Sequence, residues 1–222
     1  GTKVEKFIIF AKNIDNEMKK TLLTIFVAGI LLGAAVAAWG VVSFKGNAVV
    51  EGRELYVGRD VTFEALMDSL KPSIKHHLAF DLYAERLNLE KRFKTGYYIF
   101  PKGESVIRTV RRLVLGDQTA IKLVIGEART LPQLAGKIAQ QIASDSTTLL
   151  SAMRNKQIRK ELGFVKDSTI AMFIPNTYEV WWDIAPERLL HRIKREYDRF
   201  WSAERTAKLE CCKLSKYEVM TL

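Results

Sequence analysis

Cysteine is almost missing from this chain: two residues in 222, Cys211 and Cys212, side by side. That excludes a disulfide framework and any cysteine-based zinc cluster, and a bridge between adjacent cysteines is strained. Histidine is as scarce. His76 and His77 are neighbours whose rings diverge on a helix, and His191 stands alone, so no metal site is expected. The 13 glycines never fall at phosphate-loop spacing behind a strand. With only 5 prolines beside them, a collagen-like or low-complexity chain is also excluded. Against these absences, 48% of residues are hydrophobic and 27% charged, enough apolar material for a core. An excess of 35 Lys+Arg over 25 Asp+Glu gives a net charge of +10, which invites a nucleic-acid reading. The best candidate for it, HRIKREYDRFW at 191–201, argues otherwise. Its aromatics fall at helical core spacing, and its basic residues interleave with Glu196 and Asp198 on the other face. No nucleic-acid partner is expected.

Charge is absent from one long stretch. Residues 21–44, TLLTIFVAGILLGAAVAAWGVVSF, hold no ionisable side chain. As a helix they span roughly 36 Å, enough for a hydrocarbon core of about 30 Å. Gly29, Gly33 and Gly40 are ordinary in lipid-embedded helices, and Trp39 suits an interface. Lys3, Lys6, Lys12, Lys19 and Lys20 precede the run, so the positive-inside rule makes residues 1–20 a cytoplasmic tail. Everything after Lys45 is then extracytoplasmic, behind a single-pass anchor. A cleavable leader would be cut near Ala35, Val36 and Ala37, but the apolar run continues beyond that point. No cysteine follows the run to carry a lipid. The chain opens on Gly1 without an initiator methionine, and trimming is the expectation.

Beyond the apolar run the pattern is that of small mixed units. Residues 54–57 alternate like a strand, and Thr62 can cap a helix with Phe63, Leu66, Met67 and Leu70 on one side. A second helix is expected over 73–89, burying Leu78, Leu82 and Leu87. Residues 96–100 read as a strand stopped by Pro101. A helix over 104–115 places Val106, Val110, Leu113 and Val114 on one side and closes at Gly116. Strand, helix, helix, strand is the order of a LysM-like unit, over residues 45–120.

A second unit occupies 121–222. Its first strand is 121–125, and the Thr130–Gln133 capping box opens a helix with a stripe of Leu131, Leu134, Ala135, Ile138 and Ile142. A helix follows over 146–162, then a strand-like run over 169–182 broken by Pro175 and Asn176. Pro186 opens a long helix with Leu189, Leu190, Ile193, Tyr197, Phe200 and Trp201. Ser215 and Glu218 form another capping box, for a helix of about two turns, which is marginal alone. The natural chain is therefore expected to continue past Leu222. The fold class is α+β: one transmembrane helix, a LysM-like βααβ subdomain, and the beginning of an α/β domain.

The most unusual run is FIPNTYEVWW at 173–182. It joins a turn-forming Pro–Asn pair, hydroxyls and one carboxylate to four large aromatics. A sugar suits such an edge, because its rings stack on aromatics and its hydroxyls need polar partners; an amphipathic strand against a core fits the same residues. Asn176, Tyr178 and Glu179 are the candidate substrate-binding residues. Glycoside cleavage commonly needs two carboxylates, and Glu179 has no evident partner. No catalytic residue is assigned within 1–222.

Four segments together carry a resemblance: GYYIFPKG at 96–103, LVLG at 113–116, VIGEARTLPQLA at 124–135 and FIPNTYEV at 173–180. In this order, behind one N-terminal anchor, they resemble the YceG-like (MltG-type) endolytic murein transglycosylases. Asn176 stands where the family often has Asp, and Ile170–Ala171 where it often has Glu–Gly. The resemblance implies a lyase of the bacterial inner (cytoplasmic) membrane that cuts peptidoglycan glycan strands. It acts near the cell-wall synthesis machinery and needs no cofactor. Its catalytic glutamate is expected just beyond Leu222, so the chain as it stands is expected to be inactive. The rival reading is a membrane-tethered glycan-binding or scaffold module ending at Leu222; a stop codon there favours it, and a downstream Glu favours the enzyme. A pyridoxal-phosphate lyase, a label sometimes attached to this family, needs a cytoplasmic site and conflicts with the topology.

The +10 divides into +2 on residues 1–20 and +8 on residues 45–222. The larger share faces a wall polymer rich in carboxylates, so wall binding should weaken as salt is added. Co-sedimentation with cell-wall sacculi over a salt series measures this, and salt-independent binding refutes it.

Overall fold

The structure, a computed structural model, describes residues 3–164, 166–212 and 214–221, and for these the side chains of all but 3–17, 166–168, 210, 211 and 221. The side chains of Lys3, Lys6, Lys12 and Cys211, and Leu222, thus lie outside the described residues.

Helix α1 (Lys3–Lys45) contains one stretch, Met18–Lys45, long and apolar enough to cross a membrane. Its large side chains, from Leu22 to Val42, face outward. The helix ends at Gly46, whose N–H donates to Val42 O at 2.9 Å; a Cβ there would lie 2.3 Å from that oxygen. No linker follows. Ala48 and Val49 N–H both donate to Glu104 O at 3.0 Å, Lys75 N–H donates to Ala48 O at 2.8 Å, and Val49 bridges Ile74.

The first unit comprises β1 (Arg53–Val57), α2 (Phe63–Leu70), a 3-10 turn (Lys71–Ser73), α3 (His77–Arg86), α4 (Leu89–Arg92), β2 (Gly96–Phe100) and α5 (Val106–Leu115). β1 and β2 pair antiparallel with Tyr56 opposite Tyr97. Helices cover one face of this ribbon, because two strands alone are marginal. Phe80, Leu89, Tyr98, Phe100, Val106, Val110 and Leu113 form the heart of the core. The Thr62 cap is present, its hydroxyl accepting from Ala65 N–H, and Gly116 closes α5 in the left-handed region at φ 73°.

The helix expected over 73–89 is shorter, and its buried face is not the expected one. Ile74 is extended, at φ −110° and ψ 128°, where it meets Val49, and Asn88 turns left-handed at φ 51°. On α3 the buried residues are Ala79, Phe80 and Ala84. Leu78 and Leu82 are 61% and 49% exposed, and Leu87 is half-buried. Two alanines let α3 lie close against its neighbours while Phe80 fills the interior. A periodicity counted on leucines therefore picks the wrong side.

The second unit comprises β3 (Ile121–Ile125), α6 (Leu131–Ala139), α7 (Ser146–Arg154), α8 (Lys156–Leu162), a 3-10 stretch (Lys166–Met172), β4 (Asn176–Val180), α9 (Pro186–Phe200), α10 (Ala203–Cys212) and α11 (Lys216–Thr221). β3 and β4 pair antiparallel, Leu123 opposite Tyr178. Leu123, Ile125, Leu134, Ile138, Leu149, Leu189 and Ile193 lie at its core. The helix expected over 146–162 is broken at Asn155, where ψ is 123° and the side chain caps α8 by accepting from Gln157 and Ile158 N–H. The strand expected over 169–182 begins only at Asn176, since Pro175 has no N–H for a ladder.

The two units meet through aromatics. Tyr56 stacks on Tyr97 at 4.5 Å and meets Trp182 edge-on at 5.2 Å, and the Thr95 hydroxyl donates to Asp183 Oδ2 at 2.6 Å.

Two predictions follow from this packing. Glu104 is buried and its carboxylate accepts from Arg112 Nη2 at 2.7 Å. Arg112→Met leaves that charge unpaired and should lower stability by about 3 kcal/mol, read from urea midpoints of the full chain in micelles. Asp145 caps α7, accepting from the Thr147 hydroxyl and from the Thr148 hydroxyl and N–H, which hold its carboxyl well below the usual range. That contribution is complete above about pH 4 and is lost as pH falls through the folded-state value. Asp145→Ala should thus melt lower than the parent at pH 7, and the gap in Tm should narrow on acidification.

Candidate functional site: a cleft beside the second sheet

Three separate segments of the second unit enclose a cleft of about 810 Å³. One wall is the loop after β3, Gly126 to Arg129; Gln133 and Leu134 of α6 continue it. Ile170, Ala171, Phe173 and Pro175, on the approach to β4, form the opposite wall, and Tyr217 and Met220 of α11 close one side.

Local chemistry holds each wall. The Thr130 hydroxyl accepts from Gln133 N–H at 3.3 Å, and Gln133 Oε1 accepts from Arg129 N–H at 2.9 Å, one residue earlier than a standard capping box. Lys137 Nζ donates to Glu127 O at 2.6 Å. The loop is thus pinned at both ends of its polar stretch. On the other side, Ser215 N–H and hydroxyl both donate to Glu218 Oε2 at 2.7 Å, and Glu218 N–H donates to Ser215 Oγ at 3.2 Å. These bonds hold the Glu218 carboxyl below its ordinary range and anchor the start of α11, whose Met220 packs on the core.

The lining combines one carboxylate (Glu127), one guanidinium (Arg129), an amide (Gln133) and the rings of Phe173 and Tyr217. Such a set can bind a polar polymer that offers hydroxyls, an acidic group and flat apolar faces. Among the lining residues no second carboxylate stands beside Glu127 to form an acid–base pair.

The three sequence candidates lie elsewhere on β4. Tyr178 is buried; its hydroxyl donates to Ile174 O at 2.6 Å, and burial pushes its phenol upward. Asn176 is exposed, and its Oδ1 accepts from Thr177 N–H at 2.8 Å. These two border a groove of about 220 Å³ with Glu196, Arg199, Phe200 and Arg205. Glu179 points out from the other face of β4, exposed, in register with Lys122. The structure therefore brings Asn176 and Tyr178 together and separates Glu179, and none of the three lines the larger cleft.

Glu127, Arg129, Gln133 and Tyr217 line that cleft without having been singled out for a site. Their signal was present: the first three fall in the 124–135 segment and Tyr217 inside the second capping box. The capping bonds account for Gln133 by themselves, so its spacing alone does not mark it as a cleft residue. Among the remaining candidates, His191 Nε2 lies 3.9 Å from Glu161, and Cys212 is exposed.

The YceG-like family model matches residues 55–222, from β1 through α11. Among solved structures, a YceG-like protein from Listeria monocytogenes aligns at 19% identity with a TM-score of 0.42, over 77% of this chain and 62% of that one. The chain thus spans less than two thirds of that protein's length. No curated protein gives a significant match. With the family model covering both units, this chain belongs to the YceG-like family.

Proposed function

We propose that this chain is the membrane-anchored, glycan-binding part of an endolytic peptidoglycan transglycosylase of the bacterial cytoplasmic membrane, with both units on the outer side. The observation that supports this most is the convergence of segments 124–135, 170–175 and α11 on one polar, aromatic-edged cleft. Two of these overlap the stretches that carry the family resemblance. Arg129 offers a bidentate partner for a carboxylate on the polymer, Gln133 a hydrogen-bonding edge for hydroxyls, and Phe173 and Tyr217 faces for sugar rings. Asn176 and Tyr178 support the β4 approach to that cleft, and Glu179 and Lys122 offer polar contacts on the outer face. The LysM-like first unit adds a further glycan-contacting surface.

The acid comes from a segment following α11. That glutamate protonates the glycosidic oxygen, and the bond from C1 to the leaving oxygen breaks. Its carboxylate then takes the proton of the substrate's own 6-hydroxyl, whose oxygen bonds to C1 and leaves a 1,6-anhydro-muramyl end. An internal nucleophile lets one carboxylate suffice where common glycosidases use two. The enzyme would thereby end nascent strands beside the cell-wall synthesis machinery.

The test compares the 222-residue chain with one extended through its natural downstream codons, both given purified glycan strands. The shorter chain should bind without cleaving, and the longer should release anhydro-muramyl ends detectable by mass spectrometry. Arg129→Ala should weaken strand binding about tenfold, the worth of one charge-assisted hydrogen bond. A longer chain that binds and does not cut moves the protein to the scaffold reading.

A further inference from the structure

We propose that α3 lies on the lipid surface in which α1 is embedded, with Leu78 and Leu82 buried among the lipids of the outer leaflet. This rests on the reading of α1 as a membrane span.

The first support is the joint between α1 and the first unit. Ser43, in the last turn of α1, is 1% exposed, so the unit already encloses the end of the apolar helix. Within four residues of Lys45 the backbone is bonded to Glu104 O and to Lys75 N–H, and Val49 bridges Ile74. Nothing in this joint is long enough to swing the unit away from the bilayer. The side of the unit that flanks α1 therefore faces lipid headgroups.

The second support is which element flanks α1. Phe44, in the last turn, meets Tyr83 of α3 edge-on with ring centroids 6.2 Å apart. Tyr83 is the neighbour of Leu82, and Leu78 precedes Leu82 by one turn. Leu78, Leu82 and Arg86 recur at four-residue spacing and so share one side of α3. All three are exposed, while Phe80 and Ala84 turn inward. Glu85, three residues after Leu82, borders the same side, so a leucine pair rimmed by Glu85 and Arg86 fits an interfacial helix: the apolar chains enter the leaflet, and the charged groups stay at headgroup level.

Charge agrees with this placement. Residues 71–94 carry six Lys or Arg against three acids. All three acids, together with Lys71 and Lys91, line the cavity beside α2, α3 and α4, where Asp81 pairs with Lys71 at 3.0 Å, which leaves Lys75, Arg86, Arg92 and Lys94 outside it. An anionic lipid surface suits this segment better than an acidic protein would.

The experiment uses the full chain with Cys211 and Cys212 changed to Ser, in vesicles of phosphatidylethanolamine and phosphatidylglycerol containing acyl-chain nitroxide lipid. Single fluorescent labels are placed through Leu82→Cys, through Leu31→Cys within α1, and through Gln140→Cys on the second unit. The Leu82 label should be quenched several-fold more than the Gln140 label, in the direction of the Leu31 label. A label through Arg86→Cys should lose most of its quenching when Leu78→Ser and Leu82→Ser are combined. Strong quenching at Leu31 with Leu82 no different from Gln140 overturns the docking of α3 alone. An unquenched Leu31 overturns the membrane span, and the docking with it. A pyrene label at Leu82→Cys that nitroxide lipid leaves unquenched and that forms excimers as protein density rises assigns this face to a second copy, and also overturns it. None of these readouts depends on glycan cleavage, so they stand apart from the catalytic reading.

Discussion

The constraint on which the rest of the structure depends is the joint at Glu104. Its carbonyl oxygen receives the N–H groups of both Ala48 and Val49, three and four residues past the apolar helix, and its carboxylate is buried against Arg112. One residue thereby ties the end of α1 to the start of α5. A buried carboxylate is tolerated only with a partner, so Arg112 is as much part of the joint as the backbone bonds are. Because the chain has no linker here, the orientation of the first unit is set by hydrogen bonds rather than by chain length. The surface of α3 takes its meaning from that geometry.

The second unit is carried by the first. Each unit has only a two-stranded ribbon, which does not hold together without helices over one face. The packed faces of the two ribbons make two separate cores, and the contact between units is made by the exposed side of Tyr56 and the turn after β4, at Trp182 and Asp183. Aromatic contacts give large area at low conformational cost, and the Thr95–Asp183 bond supplies direction. The cleft at the far end of β3 and β4 thus inherits its position through the first unit.

Much of the fold is legible from local patterns. Thr62 and Ser215 cap as their spacing indicates, Gly116 closes α5 in the left-handed region, and the stripe at Leu134, Ala135 and Ile138 is buried. The breaks at Asn88 and Asn155 are harder to read, because a polar residue in a helical pattern is indistinguishable from a surface position until its own backbone is known. Leu78 and Leu82 misled for a different reason. Hydrophobic periodicity assumes that apolar side chains face protein, and on α3 the alanines take that place. Of the candidate cleft, two lining segments are legible as motifs, while Asn176, Tyr178 and Glu179, the candidates that the residue pattern points to, lie outside its lining.

The sequence by itself determined the apolar run of residues 21–44, the caps, the strand alternation and the α+β class, because each is decided by interactions within a few neighbouring residues. Tertiary structure alone decided which side of α3 is buried, that Glu104 joins α1 to α5, and that Arg129, Gln133, Phe173 and Tyr217 line one cleft. Those facts arise from segments tens of residues apart being packed together. Packing selects for volume and closeness, which a short window of sequence does not encode.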